Sequence, residues 1–248
     1  MNSHYAPRRA NRITPVTQNL LLINILLFLA TVTLTGANLP FHLGGFYFKS
    51  PFFKPWQPLT SMFMHGSLSH LAFNMLALWM FGTPLERLWG AKRFLIFYFS
   101  CGLGAYFLHD VVTYLHTNPI QANWMESGQN FNEFLDVVKK FPQSGRGYAY
   151  PADVKTLFMV YITPVVGASG AIYGLLIAFA LYYPNAELIF ILFPIPLKAK
   201  YFVPFMMVFE LFLGWQNFSG DNVAHFAHIG GALLGFLLIK YWRATDKR

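Results

Sequence analysis

The chain has 248 residues, of which 55% are hydrophobic and 19% aromatic but only 11% charged, and its formal net charge is +8. Soluble proteins run at roughly 45–50% apolar and 25% charged residues, so this balance excludes an ordinary soluble globular domain. No polar block is long enough to form a second domain, which leaves one all-α, polytopic membrane domain.

The tail, residues 1–15, carries Arg8, Arg9 and Arg12 ahead of a first apolar span from Val16 to Thr35. No small-residue cleavage pattern follows it, so the span is expected to stay as an anchor. Five more apolar runs follow: Leu68 to Phe81, Phe94 to Thr113, Ser169 to Tyr183, Tyr201 to Trp215, and Val223 to Trp242. They predict a six-transmembrane-helix bundle over residues 16–242, with a second short tail at 243–248. Arg87, Lys92, Arg93, Lys198, Lys200, Lys240, Arg243, Lys247 and Arg248 then join the N-terminal arginines on one side. Lys49, Lys54, Lys139, Lys140, Arg146 and Lys155 fall on the other. The positive-inside rule puts both tails in the cytoplasm of a multi-pass protein of the cell (inner) membrane. The basic residues cluster at span ends, which fits lipid headgroups of the bilayer and gives no reason to expect a nucleic-acid partner.

Two connections on the external side are long. Residues 36–66 are aromatic and carry Pro51, Pro55, Pro58 and Trp56, a composition suited to an interfacial collar. Residues 114–155 form an enlarged external loop. Within it, Asn130 to Glu133 reads as a capping box, followed by Phe134, Val138 and Phe141 at helical spacing. A short amphipathic helix is expected there, either packed on its own domain or serving as a substrate-handling lid.

The orientation brings three distant segments to one depth, because the second, fourth and sixth spans all enter from the external face. His70 and Asn74 open the second, Ser169 the fourth, and His225 and His228 the sixth. Pro164 and Gly167 interrupt the apolar run before Ser169, so the approaching backbone should be non-helical at membrane depth. Such backbone is tolerated only where it is buried in protein or lines a water-filled cavity, and hydrolysis inside a membrane needs such a cavity. From Ser169, Gly170, Gly174 and Ala178 make a small-residue stripe, and His228, Gly231 and Gly235 share a face of the sixth span. If the stripes pack together, Ser169 and His228 become neighbours, as a serine nucleophile and its general base require.

No acidic residue lies in either motif, and Glu210 and Asp221 are the carboxylates nearest the sixth span, so a dyad without a third acidic member is expected. Tyr173, one turn below Ser169, can pack in the core, hold the imidazole, or do both. Asn74 and His70 share a helix face, where they can donate to an oxyanion, although Asn74 serves equally well as an interhelical hydrogen bond. A metal reading of His65, His70, His225 and His228 finds no HExxH pairing, no cysteine ligand and no carboxylate at the same depth, so no metal or other cofactor is expected. Cys101 is alone and reads as a packing residue.

Taken together, His70-Leu71-Ala72-Phe73-Asn74, Gly167-Ala168-Ser169-Gly170 with Tyr173, and Ala227-His228-Ile229-Gly230-Gly231 running on to Gly235 closely resemble the rhomboid family of intramembrane serine proteases. The resemblance covers nearly the whole chain apart from the tails and the enlarged loop. It implies a six-helix bundle with Ser169 as nucleophile and His228 as general base and acid. Asn74 and His70 would complete the oxyanion hole beside the Ser169 amide, while His225 stands outside that pattern and is read as either a support to the dyad or a structural residue. It also implies single-span transmembrane protein substrates, cut where small and helix-destabilising residues open the helix. The chain departs from the simplest members in its enlarged loop, and no seventh span or soluble appendage like those of some relatives is expected from it. Two other readings compete. A catalytically silent rhomboid-like protein that binds membrane clients usually lacks the serine or histidine kept here. A transporter with a broken helix, using Pro164 and Gly167, predicts inverted repeats, which this sequence does not show, and an intramembrane carboxylate site, for which Glu210 is the sole candidate.

Overall fold

A computed structural model describes residues 13–144, 150–188, 196–216 and 224–245, and these are mostly helical. The helices are α1 (Pro15–Thr33), α2 (Leu39–Leu43), α3 (Gln57–Thr60), α4 (Leu68–Ala77), α5 (Thr83–Glu126), α6 (Phe131–Ser144), α7 (Ala152–Ile162), α8 (Ser169–Tyr182), α9 (Ala199–Gln216) and α10 (His225–Thr245). Two-residue strands, β1 (Glu187–Leu188) and β2 (Leu197–Lys198), pair antiparallel between α8 and α9.

Every apolar run of the sequence lies on a helix, with differences at the ends. Val223 and Asp221 lie outside the described residues. α1, and the helical stretch Leu68–Glu126, are long and apolar enough to cross a membrane, while α8 is apolar but shorter. The second and third runs are joined rather than separated. A π-helical turn at Leu78–Gly82 links α4 to α5, and the helical geometry breaks inside α5 only at Gly90, whose φ is 77°. In a straight helix, Gly82 and Phe94 would stand about 18 Å apart. A Cβ on Gly82 would instead meet the Phe94 ring at 3.2 Å, so the chain folds back at Gly90. Only glycine takes this positive φ without strain, which locates the reversal.

α1 is fastened to this turn by a carboxylate that helix periodicity does not reveal. Glu86 accepts hydrogen bonds from the amides of Val16 and Thr17, at 2.9 and 2.7 Å, and from the Thr17 hydroxyl at 2.8 Å. An anion there answers both the unpaired first-turn amides and the positive end of the helix dipole. The other face of α1 is open, with Leu22, Ile23, Leu26, Leu29 and Val32 exposed.

The centre of the bundle is α8, which packs against α5 and α10. Its glycine stripe meets that of α10 almost backbone to backbone. A Cβ on Gly231 would lie 1.8 Å from the Gly170 carbonyl oxygen, and one on Gly235 would lie 2.9 Å from Gly174 Cα. Buried Cys101 fills the space beside Gly174 from α5.

The enlarged connection is more ordered than a loop. The third helix runs on to Glu126 instead of stopping near Thr113, and α6 and α7 stack against its extension. Phe134, Val138, Val154, Leu157, Phe158 and Tyr161 form a second buried cluster there. The Asn130 side chain accepts from the Asn132 amide at 2.9 Å, so it caps α6 through the second helical amide and not the third. In the first connection, buried Gln57 accepts from the Lys54 amide at 2.9 Å and donates to the Phe52 carbonyl at 3.1 Å, fixing the aromatic turn around it.

Candidate active site

Ser169 is the first residue of α8, and the chain reaches it in extended form. Val165 pairs antiparallel with Gly45, and the Gly167 amide donates to the Ser61 carbonyl at 2.9 Å. Pro164 removes a helical donor in this stretch. Gly167 has φ 130°, a conformation that a side chain would strain. A serine at the first helical position sits beside amides that have no partner within the helix, a setting suited to negative charge.

α10 brings His228 to this point, three residues after its own first residue. Its Nε2 lies 2.9 Å from Ser169 Oγ, and its ring stacks on Tyr173 with centroids 4.2 Å apart and planes 6° apart. The imidazole is thus clamped in plane by one residue of α8 and aimed at another. Gly231 and Gly235 permit this, because a side chain on either would part α10 from α8, while Gly170 makes room for Ala105 of α5.

On its other nitrogen His228 meets a carboxylate, and here the expectation of a site without an acidic member is corrected. Glu210 Oε2 lies 3.0 Å from His228 Nδ1 and 2.6 Å from His225 Nδ1, while the Tyr173 hydroxyl is hydrogen-bonded to Glu210 Oε1. Glu210, His225 and His228 are all buried. The sequence reading set Glu210 aside because it lies in neither motif and was not placed at the depth of the histidines. The depth count already held the missing signal. Glu210 stands six residues before the end of α9, about 9 Å along the helix, which matches the layer at which α10 begins. Tyr173 therefore both packs on the imidazole and reaches the carboxylate.

His70 borders the serine from α4, the helix that also carries Asn74. A Cβ on Gly167 would fall 2.8 Å from His70 Nε2 and 3.6 Å from Ser169 Oγ, so the imidazole and the hydroxyl border one small space above that glycine. Buried Asn74 donates one amide hydrogen to the His70 carbonyl at 3.0 Å. His65 is 2% exposed and packs edge-on against His70 at 5.0 Å. Burial first, and the neighbouring His70 second, push its pKa down to about 4.

The expectation that no carboxylate lies at histidine depth is likewise corrected. Donor atoms of Glu210, His225 and His228 lie within 4.8 Å of one another, close enough to share a cation. Their separations of 2.6 and 3.0 Å, however, are hydrogen-bond distances, which the cluster satisfies with protons alone.

Residues 53–244 match the family model of the rhomboid domain. Over 190 residues the chain is 28% identical to Rhomboid protease AarA of Providencia stuartii, covering 74% of this chain and 54% of that protein. It is 27% identical over 184 residues to Rhomboid protein 1, mitochondrial, of Saccharomyces cerevisiae, covering 72% of this chain and 39% of the other. A stretch of 48 residues is 48% identical to Rhomboid protease GluP of Bacillus subtilis, which is 19% of this chain and 10% of that one. The chain thus spans about half or less of the length of these curated relatives.

Proposed function

The chain belongs to the rhomboid family, and from that premise we propose that it is an intramembrane serine endopeptidase, cutting peptide bonds in or near transmembrane segments of membrane proteins. The observation that carries this reading is the 2.9 Å approach of His228 Nε2 to Ser169 Oγ at the start of two tightly packed helices. In the reaction His228 Nε2 takes the hydroxyl proton as Ser169 Oγ attacks the scissile carbonyl carbon. The tetrahedral intermediate collapses with loss of the amine, which leaves with the proton from His228. Water, deprotonated by the same imidazole, then releases the acyl group from Ser169.

The oxyanion would lie in the space bordered by His70 and Gly167, with donors from His70, Asn74 and the Ser169 amide, each worth about 2.7–4 kcal/mol. A half-buried imidazole and a buried amide at this depth are costly unless they pair or act. We assign six membrane spans to residues 16–242, with both tails cytoplasmic in the cell (inner) membrane, on the charge distribution of the connections. Membrane proteins are the substrates and no cofactor enters the steps.

The test is cleavage of a single-span reporter in liposomes by wild type, Ser169→Ala and His228→Ala. Cutting by wild type alone supports the dyad, and cutting by either variant at the wild-type rate refutes it. If wild type neither cuts nor reacts with a fluorophosphonate at Ser169, a silent client-binding protein is the better reading.

A further inference from the structure

We infer that Glu210 completes the reacting group as a positioning residue, holding His228 in the one tautomer that can accept the Ser169 proton. The inference rests on the protease reading above and deepens it.

An ionised carboxylate only accepts hydrogen bonds, so the two Nδ1 atoms on Glu210 Oε2, at 2.6 Å from His225 and 3.0 Å from His228, both carry protons. In its neutral form His228 then keeps its lone pair on Nε2, which faces Ser169 Oγ at 2.9 Å. Without the carboxylate, either nitrogen could hold the proton, and the Nε2-protonated form cannot act as a base toward the serine. Tyr173 fixes the plane of the ring but makes no bond to Nδ1, so stacking alone cannot choose the tautomer.

A second consequence follows when the proton moves. As Ser169 Oγ bonds to the substrate carbon and its proton passes to Nε2, the imidazole becomes a cation with Glu210 already against it. No reorganisation is then required. His225 Nδ1 and the Tyr173 hydroxyl serve the carboxylate itself. With His228 they give it three donors, from two helices other than its own, as a buried anion at membrane depth requires. A carboxylate wanted only to tie α9 to its neighbours would not need to meet the nitrogen opposite the nucleophile.

The experiment uses the full-length protein in liposomes with the single-span reporter, comparing wild type, Glu210→Gln and Glu210→Asp. The amide of Glu210→Gln keeps the size of the side chain but can donate to Nδ1, favouring the unproductive tautomer. Its kcat should fall about 10²–10⁴-fold, as an aspartate-to-asparagine change does in a serine-protease triad. KM and the thermal midpoint should stay near wild type, because a tautomer error is felt only in the chemical step. Fluorophosphonate labelling of Ser169 should slow in parallel, and Glu210→Asp should recover part of kcat.

The inference is overturned if Glu210→Gln keeps kcat within about threefold. It is also overturned if kcat falls only together with the thermal midpoint and Glu210→Asp recovers nothing, which marks a scaffold role. Loss of activity on chelation with recovery on adding zinc overturns it as well, since these residues would then be metal ligands. If wild type neither cuts nor labels, the protease reading fails first and takes this inference with it. If wild type cuts and Glu210→Gln cuts equally well, this inference alone fails.

Discussion

Gly231→Ala puts the packing of the two glycine stripes to a quantitative test. The new methyl carbon would sit 1.8 Å from the Gly170 carbonyl oxygen and 2.7 Å from its carbonyl carbon. A carbon–oxygen contact needs about 3.3 Å, so α8 and α10 must part by about 1.5 Å, because the obstructing atoms are main chain and cannot rotate away. Ser169 adjoins Gly170 and His228 lies one turn from Gly231, so most of the parting is felt at the 2.9 Å hydrogen bond between them. Stretched to about 4 Å it is no longer a bond, and a misplacement of about 1 Å can cost about 10²-fold in rate.

We expect kcat and the fluorophosphonate labelling rate of Gly231→Ala to drop at least ~10²-fold, with about 1–3 kcal/mol lost from stability by overpacking. Gly235→Ala supplies the graded comparison. Its methyl would meet Gly174 Cα at 2.9 Å, and ordinary carbon contact at about 3.5–4.0 Å asks for a parting of about 0.6 Å or slightly more, two turns deeper. Its effect should be clearly smaller. Gly36→Ala meets nothing within 4 Å and should be silent. Labelling and thermal unfolding across the three variants decide the matter, and wild-type behaviour in Gly231→Ala, or a reversed order, would refute the reasoning.

Three further perturbations probe other parts of the molecule. Glu86→Ala strips the start of α1 of a carboxylate that holds two amides and a hydroxyl. It should lower stability by about 1–3 kcal/mol, with faster amide exchange confined to the first turn of α1. For His65, the folded pKa of about 4 lies below the ordinary 6.5, so between those values the unfolded chain binds more protons. Its contribution is intact above about 6.5 and is lost as pH falls toward 4. The thermal midpoint should drop across that window, and a flat profile, or the same slope in His65→Leu, would contradict this. Phe134→Ala opens a cavity in the external cluster where the ring is 2% exposed. About 3–5 kcal/mol lost there should hasten proteolysis of α6 while leaving Ser169 labelling unchanged.

How legible each part was follows from what fixes it. The helices were visible because apolar runs answer to local composition, and the extended approach to Ser169 was visible because Pro164 and Gly167 act on their own backbone. The juxtaposition of Ser169 with His228 could be argued from two stripes at matched depth. That the chain reverses between the second and third spans was legible, with Arg87, Lys92 and Arg93 between them, but its place at Gly90 was not, since helix runs through Trp89 and Ala91 and only a positive φ marks the break. Glu86 and Glu210 were hidden for a different reason. A buried carboxylate is defined by its donors, and theirs lie on other helices, from 15 to 70 residues away.

That the polar groups gather at one end of the bundle has a physical cause. Backbones as close as those of Gly170 and Gly231 leave no room between them for polar side chains and their partners, so chemistry must sit where the helices begin. α8 and α10 both start in this layer, and each brings the positive end of its dipole and amides without helical partners. Ser169 occupies the first position of one, where developing negative charge on the substrate is favoured. Glu210 meets the first turn of the other through His225 and His228, where a fixed negative charge is favoured by about 0.3–1 kcal/mol before any hydrogen bond is counted. On the proposed reaction, one helix start would serve a charge that appears during catalysis, and the other would hold the charge that steadies the base. Close packing by glycine and a carboxylate at position 210 are two halves of the same arrangement.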